Sequence, residues 1–170
     1  GRWRGHPIAA PPGDRTRPTT DRVREAWMSV LQHDLPDARV LDLYAGSGAL
    51  GLGALSRGAK HATFVEIASG PPKALRANVA KLGAGEHGEV IKQDALPFVR
   101  ALGAAAFDIV FADPPYDRPD ARSLVQLFTT TQFAHILSVE HRSTERFDDI
   151  AGGDMRVYGD TALTFITADA

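Results

Sequence analysis

Apolar positions along this chain repeat with two periods, and the change from one to the other divides the sequence into elements. Val23, Ala26, Trp27, Val30 and Leu31 fall at i, i+3, i+4, i+7 and i+8, the spacing of a half-buried helix. Thr19 or Thr20 caps its start, Asp21 suits its positive end, and the pattern runs out near His33. From Ala38 short apolar runs alternate with helical ones. The predicted strands are Arg39–Leu43, His61–Glu66, Glu89–Lys92, Phe107–Ala112 and His135–Glu140. The predicted helices between them are Ala49–Arg57, closed by Gly58, and a segment from Pro71 or Pro72 to Leu82, closed by Gly83. Leu96–Leu102 and residues 120–130 complete the helices, and Met155–Tyr158 with Ala162–Thr167 form a closing hairpin around Gly159-Asp160.

Strands separated by helices imply βαβ units. The expected fold is therefore α/β: a mostly parallel seven-stranded sheet with helices on both faces, and an antiparallel C-terminal hairpin at one edge. Residues 1–18 are rich in Arg, Pro and Gly and show little periodicity. They are expected to form a basic N-terminal arm on a single domain spanning 1–170. Trp27 falls on the apolar face of its helix and is expected in the core, as are Tyr158 and Phe165 in the hairpin. His135 and His141 flank a strand and are expected to be packing or surface residues.

Composition narrows the class. The chain has 170 residues, 44% of them hydrophobic and 24% charged, the balance of an ordinary globular protein large enough to bury a core. The absence of cysteine removes disulfides, thiolate metal sites and thiol nucleophiles together, and fits a reducing cytoplasm, where the protein is expected as a monomer. No apolar run approaches the roughly 20 residues of a membrane span, and no signal peptide is evident. The first residue is Gly1 rather than Met, as in a trimmed product or an ordered fragment. The formal net charge is only -2, but it is unevenly placed. Residues 1–33 carry six arginines against three acids, a net +3 on a body of net −5, which suggests an anionic partner for that segment.

Candidate chemistry gathers at strand ends, where open α/β sheets bind ligands. Asp42-Leu43-Tyr44-Ala45-Gly46-Ser47-Gly48 ends the first strand with a glycine turn that lets a ligand approach the backbone closely. Gly46, Gly48 and Gly51 also match the dinucleotide fingerprint read literally. Glu66 ends the second strand, where a carboxylate can accept both hydroxyls of a ribose. Asp94, with Ala95 beside it, follows the third, where it can accept from an adenine amino group. Asp42, Tyr44, Gly46, Ser47, Gly48, Glu66, Asp94 and Ala95 thus make a candidate nucleoside-binding set, compatible with adenosylmethionine or with a nicotinamide dinucleotide.

Asp113-Pro114-Pro115-Tyr116 after the fourth strand separates the two. An exocyclic amine on a nucleobase is a poor nucleophile because its lone pair is conjugated with the ring. If Asp113 and the Pro114 carbonyl accept its two hydrogens, the nitrogen moves toward tetrahedral geometry and its lone pair can face a sulfonium methyl. Positioning and electrostatics then carry a direct displacement, with no metal and no covalent intermediate. Pro115 stiffens the turn, and Tyr116 can stack on the base once it leaves its own stack.

Together these residues resemble the class I, Rossmann-like S-adenosylmethionine-dependent methyltransferases. More closely, the chain resembles the bacterial RsmD-type family of 16S rRNA (guanine-N2)-methyltransferases. The resemblance rests on Trp3-Arg4-Gly5, Arg17-Pro18-Thr19-Thr20-Asp21-Arg22-Val23-Arg24-Glu25, the Asp42–Leu52 run, Ala54–Ala59, Phe64-Val65-Glu66, Asp113–Tyr116 and Arg156-Val157-Tyr158-Gly159. It implies that Gly46, Ser47, Gly48 and Glu66 bind S-adenosyl-L-methionine and that Asp113–Tyr116 hold a guanine. It implies further that the arginine-rich segment, with Arg2, Arg4, Arg15, Arg17 and Arg22, contacts the phosphates of 16S rRNA in the small ribosomal subunit or its assembly intermediate. The chain departs from the family in carrying Gly53 where a glutamate is usual, in the stretch Ile67–Pro72, and in a first strand that usually begins before Trp3. Other readings to be tested are N-methylation of adenine or cytosine in RNA or DNA, a non-catalytic RNA-binding module, and a nicotinamide-dependent oxidoreductase.

Overall fold

A computed structural model of the protein describes residues 20–68, 70–81 and 85–169. The arm 1–18, with Arg2, Arg4, Arg15 and Arg17, lies outside the described residues, as do Thr19 and the expected helix end at Leu82 and Gly83. The elements in chain order are α1 (Asp21–Val30), β1 (Arg39–Leu43), α2 (Ala49–Ser56), β2 (His61–Glu66) and α3 (Gly70–Lys81). A 3-10 turn (Gly85–His87) precedes β3 (Gly88–Lys92), followed by α4 (Ala95–Arg100), β4 (Phe107–Ala112) and α5 (Asp120–Thr130). Then come β5 (Ala134–Arg142), β6 (Asp154–Tyr158) and β7 (Thr161–Thr167).

The seven strands form one sheet in the order β3-β2-β1-β4-β5-β7-β6. The first five are parallel to their neighbours, while β7 runs antiparallel to both β5 and β6. The expected edge hairpin is present, with its second strand on the inside: β7 lies against β5 and leaves β6 at the edge. That pairing also carries β5 two residues beyond its expected end, because Arg142 is opposite Thr161. The chain turns direction at β1, which has β2 on one side and β4 on the other. The crevice between the carboxyl ends of β1 and β4 is thus the topological switch point, where α/β sheets place ligands.

Alternation along the strands separates two cores. Val40, Phe64, Ile109 and Phe111 face α1, α2 and α3, where Trp27, Leu52 and Leu75 are buried. Leu41, Leu43, Val65 and Val110 face α4 and α5 and pack with Val99, Leu124 and Phe128. Trp27 is fully buried, as its helical spacing requires, and its indole N–H donates to Ser138 Oγ at 2.8 Å. Ser138 in turn donates to the Val110 carbonyl at 2.7 Å, so the polar atom of the tryptophan side chain is satisfied in the core. Phe165 is buried and Tyr158 half-buried. His141 lies inside β5 at 1% exposure, while His135 is exposed on the same strand.

Helix boundaries follow local chemistry. Thr20 caps α1 through a bond from Val23 N–H to its hydroxyl. Gly58, at φ 100, ends the turn after α2. At Gly51 a Cβ would lie 2.3 Å from Phe64 Cε1, so the close packing of α2 on β2 requires glycine there. Among the described residues no helix is long and apolar enough to cross a membrane, and no cluster of His, Asp or Glu side chains could hold a metal ion.

Candidate active site

The register of the two central strands brings the two sequence motifs together. Leu43 of β1 pairs with Ala112 of β4, so Tyr44 and Asp113 are the first residues beyond a shared rung. One loop continues to Gly46, Ser47 and Gly48, and the other to Pro114, Pro115 and Tyr116.

The glycine loop is held by backbone and by two side chains. Gly48 has φ 85 and sits where a Cβ would come within 2.2 Å of Leu75 Cδ1 on α3, so both conformation and space exclude a side chain. The Gly48 N–H donates to the Ala45 carbonyl at 2.8 Å, and the Ala45 N–H to the Val65 carbonyl at 3.1 Å. Asn78, 2% exposed on α3, donates through its amide to the Ser47 carbonyl at 3.0 Å. By contrast, Gly46 has φ 57 and a Cβ there would meet nothing within 4 Å. The loop therefore presents open backbone at Gly46, a surface that an adenosyl ligand can approach.

The three strand-end acids have different surroundings. Asp42 is 1% exposed, and its Oδ2 accepts the Gly51 N–H at 2.9 Å. Burial above all, and then the nearby Asp113 and Glu66 charges, hold its carboxyl well above the usual range, against the lowering effect of the Gly51 bond. Glu66 is half-buried and faces the loop: its Oε1 accepts the Gly46 N–H at 3.0 Å. Its Oε2 accepts from Ile67 N–H at 3.0 Å and Ala68 N–H at 3.1 Å. A carboxylate has about four lone-pair sites, so these bonds leave capacity on Oε1. One ribose hydroxyl can join them; two would have to displace a backbone donor. Asp94 is half-buried at the N-terminus of α4, makes no capping bond with its side chain, and precedes the buried Ala95. Ile67, beside Glu66, is 54% exposed and offers apolar area next to that carboxylate.

In the Asp113–Tyr116 loop Asp113 and Pro115 are half-buried and Pro114 is buried. Tyr116 is anchored at its hydroxyl, which lies 2.9 Å from Thr161 Oγ1 and donates to the His141 carbonyl at 3.3 Å. The Arg142 guanidinium lies 5.2 Å from the centre of its ring. The ring is thus held edge-on by β5 and β7, with a cation at one face.

The pattern of apolar and polar residues gives no sign of three of these groups. Asn78 lies on a helix legible only by its boundaries. Thr161 and Arg142 reach Tyr116 through the β5–β7 pairing, which no local pattern encodes. A fourth is Asp120, in the first turn of α5 and 2% exposed, whose Oδ2 accepts the Tyr44 hydroxyl at 2.6 Å. Burial first, and the Asp120 carboxylate second, hold the Tyr44 phenol far above its usual pKa, so it remains the donor. Arg22 is exposed on α1, and Gly53 faces Met28 and Arg57 rather than the loop.

An open parallel sheet with an antiparallel strand slotted between β5 and the edge, and an Asp-Pro-Pro-Tyr loop abreast of a glycine loop, marks the Rossmann-like methyltransferase fold; the chain is of that class. A family model described as Conserved hypothetical protein 95 matches residues 1–167, and the chain belongs to this family, the RsmD family. It is 44% identical over 118 residues to ribosomal RNA small subunit methyltransferase D of Escherichia coli K12, a match covering 69% of this chain and 59% of that protein. The chain thus spans less than two thirds of that relative's length. It is 37% identical over 137 residues to the putative rRNA methyltransferase YlbH of Bacillus subtilis, covering 78% of this chain and 73% of the relative. Among solved structures, the putative methyltransferase yhhF from Escherichia coli superposes with a TM-score of 0.85 at 34% identity, covering 100% of this chain and 96% of that one.

Proposed function

We propose that the protein transfers a methyl group from S-adenosyl-L-methionine to the exocyclic N2 amine of a guanine in 16S rRNA. The observation that carries this reading is the Leu43–Ala112 register, which sets the open glycine loop and Asp113–Tyr116 side by side across the switch point. The family supports it, since its curated relatives are named rRNA methyltransferases.

Gly46–Gly48 and Glu66 would hold the donor, Ile67 would pack against its adenine, and Asp94 would accept from the adenine amino group. When bound, the donor supplies an electrophilic sulfonium methyl. Asp113 and the Pro114 carbonyl accept the two hydrogens of the target amine and turn its lone pair outward. Asp113 is then the nearest base for the proton released as the nitrogen gains its methyl group. Tyr116, fixed by Thr161, gives the base a flat surface to stack on. Arg22 and the arginines of the arm, Arg2, Arg4, Arg15 and Arg17, contact phosphates. The substrate is the small ribosomal subunit or its assembly intermediate, met by a monomer in the cytoplasm.

The test is transfer of labelled methyl to small-subunit particles from cells lacking the native activity, followed by digestion to nucleosides. N2-methylguanosine is the expected product. Asp113→Ala is expected to lower transfer by about 100-fold or more while donor affinity is kept. A methylated adenosine or cytidine would replace the guanine assignment, and full activity in Asp113→Ala would overturn the mechanism.

A further inference from the structure

The Tyr44–Asp120 hydrogen bond has no part in the chemistry above, yet it ties the start of the glycine loop to the helix that follows Asp113–Tyr116. The Leu43–Ala112 rung is the last one shared by β1 and β4, and beyond it the chain enters the donor loop, Gly46–Gly48, on one side and the acceptor loop, Asp113–Tyr116, on the other. The acceptor loop returns at α5, whose first residue, Asp120, meets the Tyr44 hydroxyl at 2.6 Å across 76 residues of sequence. Arg118 Nε lies 3.4 Å from the other carboxylate oxygen, so this 2% exposed acid has partners on both sides. The backbone of Tyr44 has φ 59, in the left-handed region that favours glycine and is unfavourable for a residue with a side chain. A tyrosine here therefore carries a backbone cost, and its hydroxyl makes a bond that reaches from the donor loop to α5.

We propose that Tyr44 and Asp120 are positioning residues whose hydrogen bond sets the separation between the donor loop, Gly46–Gly48, and the acceptor loop, Asp113–Tyr116. The inference rests on the methyl-transfer reading. Each loop has its own supports: Glu66 and Asn78 hold the first, and Thr161 holds Tyr116 in the second. Either can bind its ligand without the bond. What the bond adds is the placement of one ligand against the other, and a direct displacement depends steeply on that placement: an error of about 1 Å can cost about 100-fold in rate.

The experiment uses the full chain with Tyr44→Phe, Asp120→Asn, Asp120→Ala and the double variant Tyr44→Phe/Asp120→Ala. Affinity for S-adenosylhomocysteine is measured by calorimetry, unfolding by temperature, and kcat and KM on the RNA substrate. Tyr44→Phe is expected to keep ligand affinity and KM within about threefold and to lower kcat by about 10- to 100-fold. Asp120→Asn retains an oxygen that accepts the hydroxyl and is expected to keep most of kcat. The double variant is expected to be no slower than Asp120→Ala, because both remove the same bond. Wild-type kcat in Tyr44→Phe would overturn the proposal. So would a loss of ligand affinity that matches the loss of kcat, or an Asp120→Asn variant as slow as Asp120→Ala. If the wild type transfers no methyl to RNA, the methyl-transfer reading fails and takes this proposal with it; a working wild type with an unimpaired Tyr44→Phe sinks the proposal alone.

Discussion

Asp42 accepts a single backbone N–H and has two acids for neighbours, in a place closed to water. Its raised pKa means that the folded protein keeps a proton which the unfolded chain gives up. This contribution to stability is therefore complete below the ordinary value of 3.8 and is lost as pH rises from there through the folded pKa. Each pH unit crossed in that window is worth about 1.4 kcal/mol. Asp42→Asn keeps an oxygen for Gly51 N–H and has no proton to lose. Urea unfolding followed from acid to neutral pH is expected to show the wild type losing stability relative to this variant. Identical slopes would mean that Asp42 is ionised in the fold. At this scale the sequence is informative about residue type and strand end, and Asp42, Glu66 and Asp113 stand out on those two grounds alone. It does not reveal what each carboxylate faces. Glu66 accepts first from its own backbone, and Tyr44 points at an acid 76 residues away.

Helix α2 carries glycines at 51 and 53 with opposite surroundings. A Cβ on Gly51 would press into the Phe64 ring, whereas one on Gly53 would rest at 3.5 Å from Met28 Cε, an ordinary contact. Gly51→Ala is expected to destabilise by about 1–3 kcal/mol through overpacking, and Gly53→Ala to stabilise by about 1 kcal/mol through helix propensity. Denaturant midpoints of the two variants check both signs. The family's usual glutamate at 53 would begin beside Arg57, whose Nη1 lies 3.6 Å from the Cβ position, so this departure concerns the α1–α2 seam rather than the glycine loop. Element boundaries were legible because periodicity and capping are local: Thr20, Gly58 and the paired prolines mark them directly. Strand partners were not. The length of β5 depends on β7, and the partner of Trp27 is Ser138, 111 residues on.

Over the whole molecule, residues 1–33 carry a net +3 against −5 elsewhere, so on the proposed function RNA binding is expected to be an electrostatic matter for that one segment. Affinity for RNA is expected to fall linearly with salt on logarithmic axes, and Arg22→Ala to reduce that slope by about 0.7–0.9, the value of one phosphate contact. A filter-binding series over salt checks this, and an unchanged slope would remove Arg22 from the interface. The doubly wound architecture was legible as a whole because alternating strands and helices permit few topologies. The switch-point crevice then followed from the sheet order alone. The position of β7 inside β6 has a consequence for the protein's manufacture. During synthesis β5 must wait with an open edge until the strand two places later in the chain has left the ribosome. Through that interval the open edge can pair with the wrong strand and Tyr116 has no Thr161 to hold it, so a partly made chain is expected to be prone to aggregation and to leave Tyr116 without its anchor.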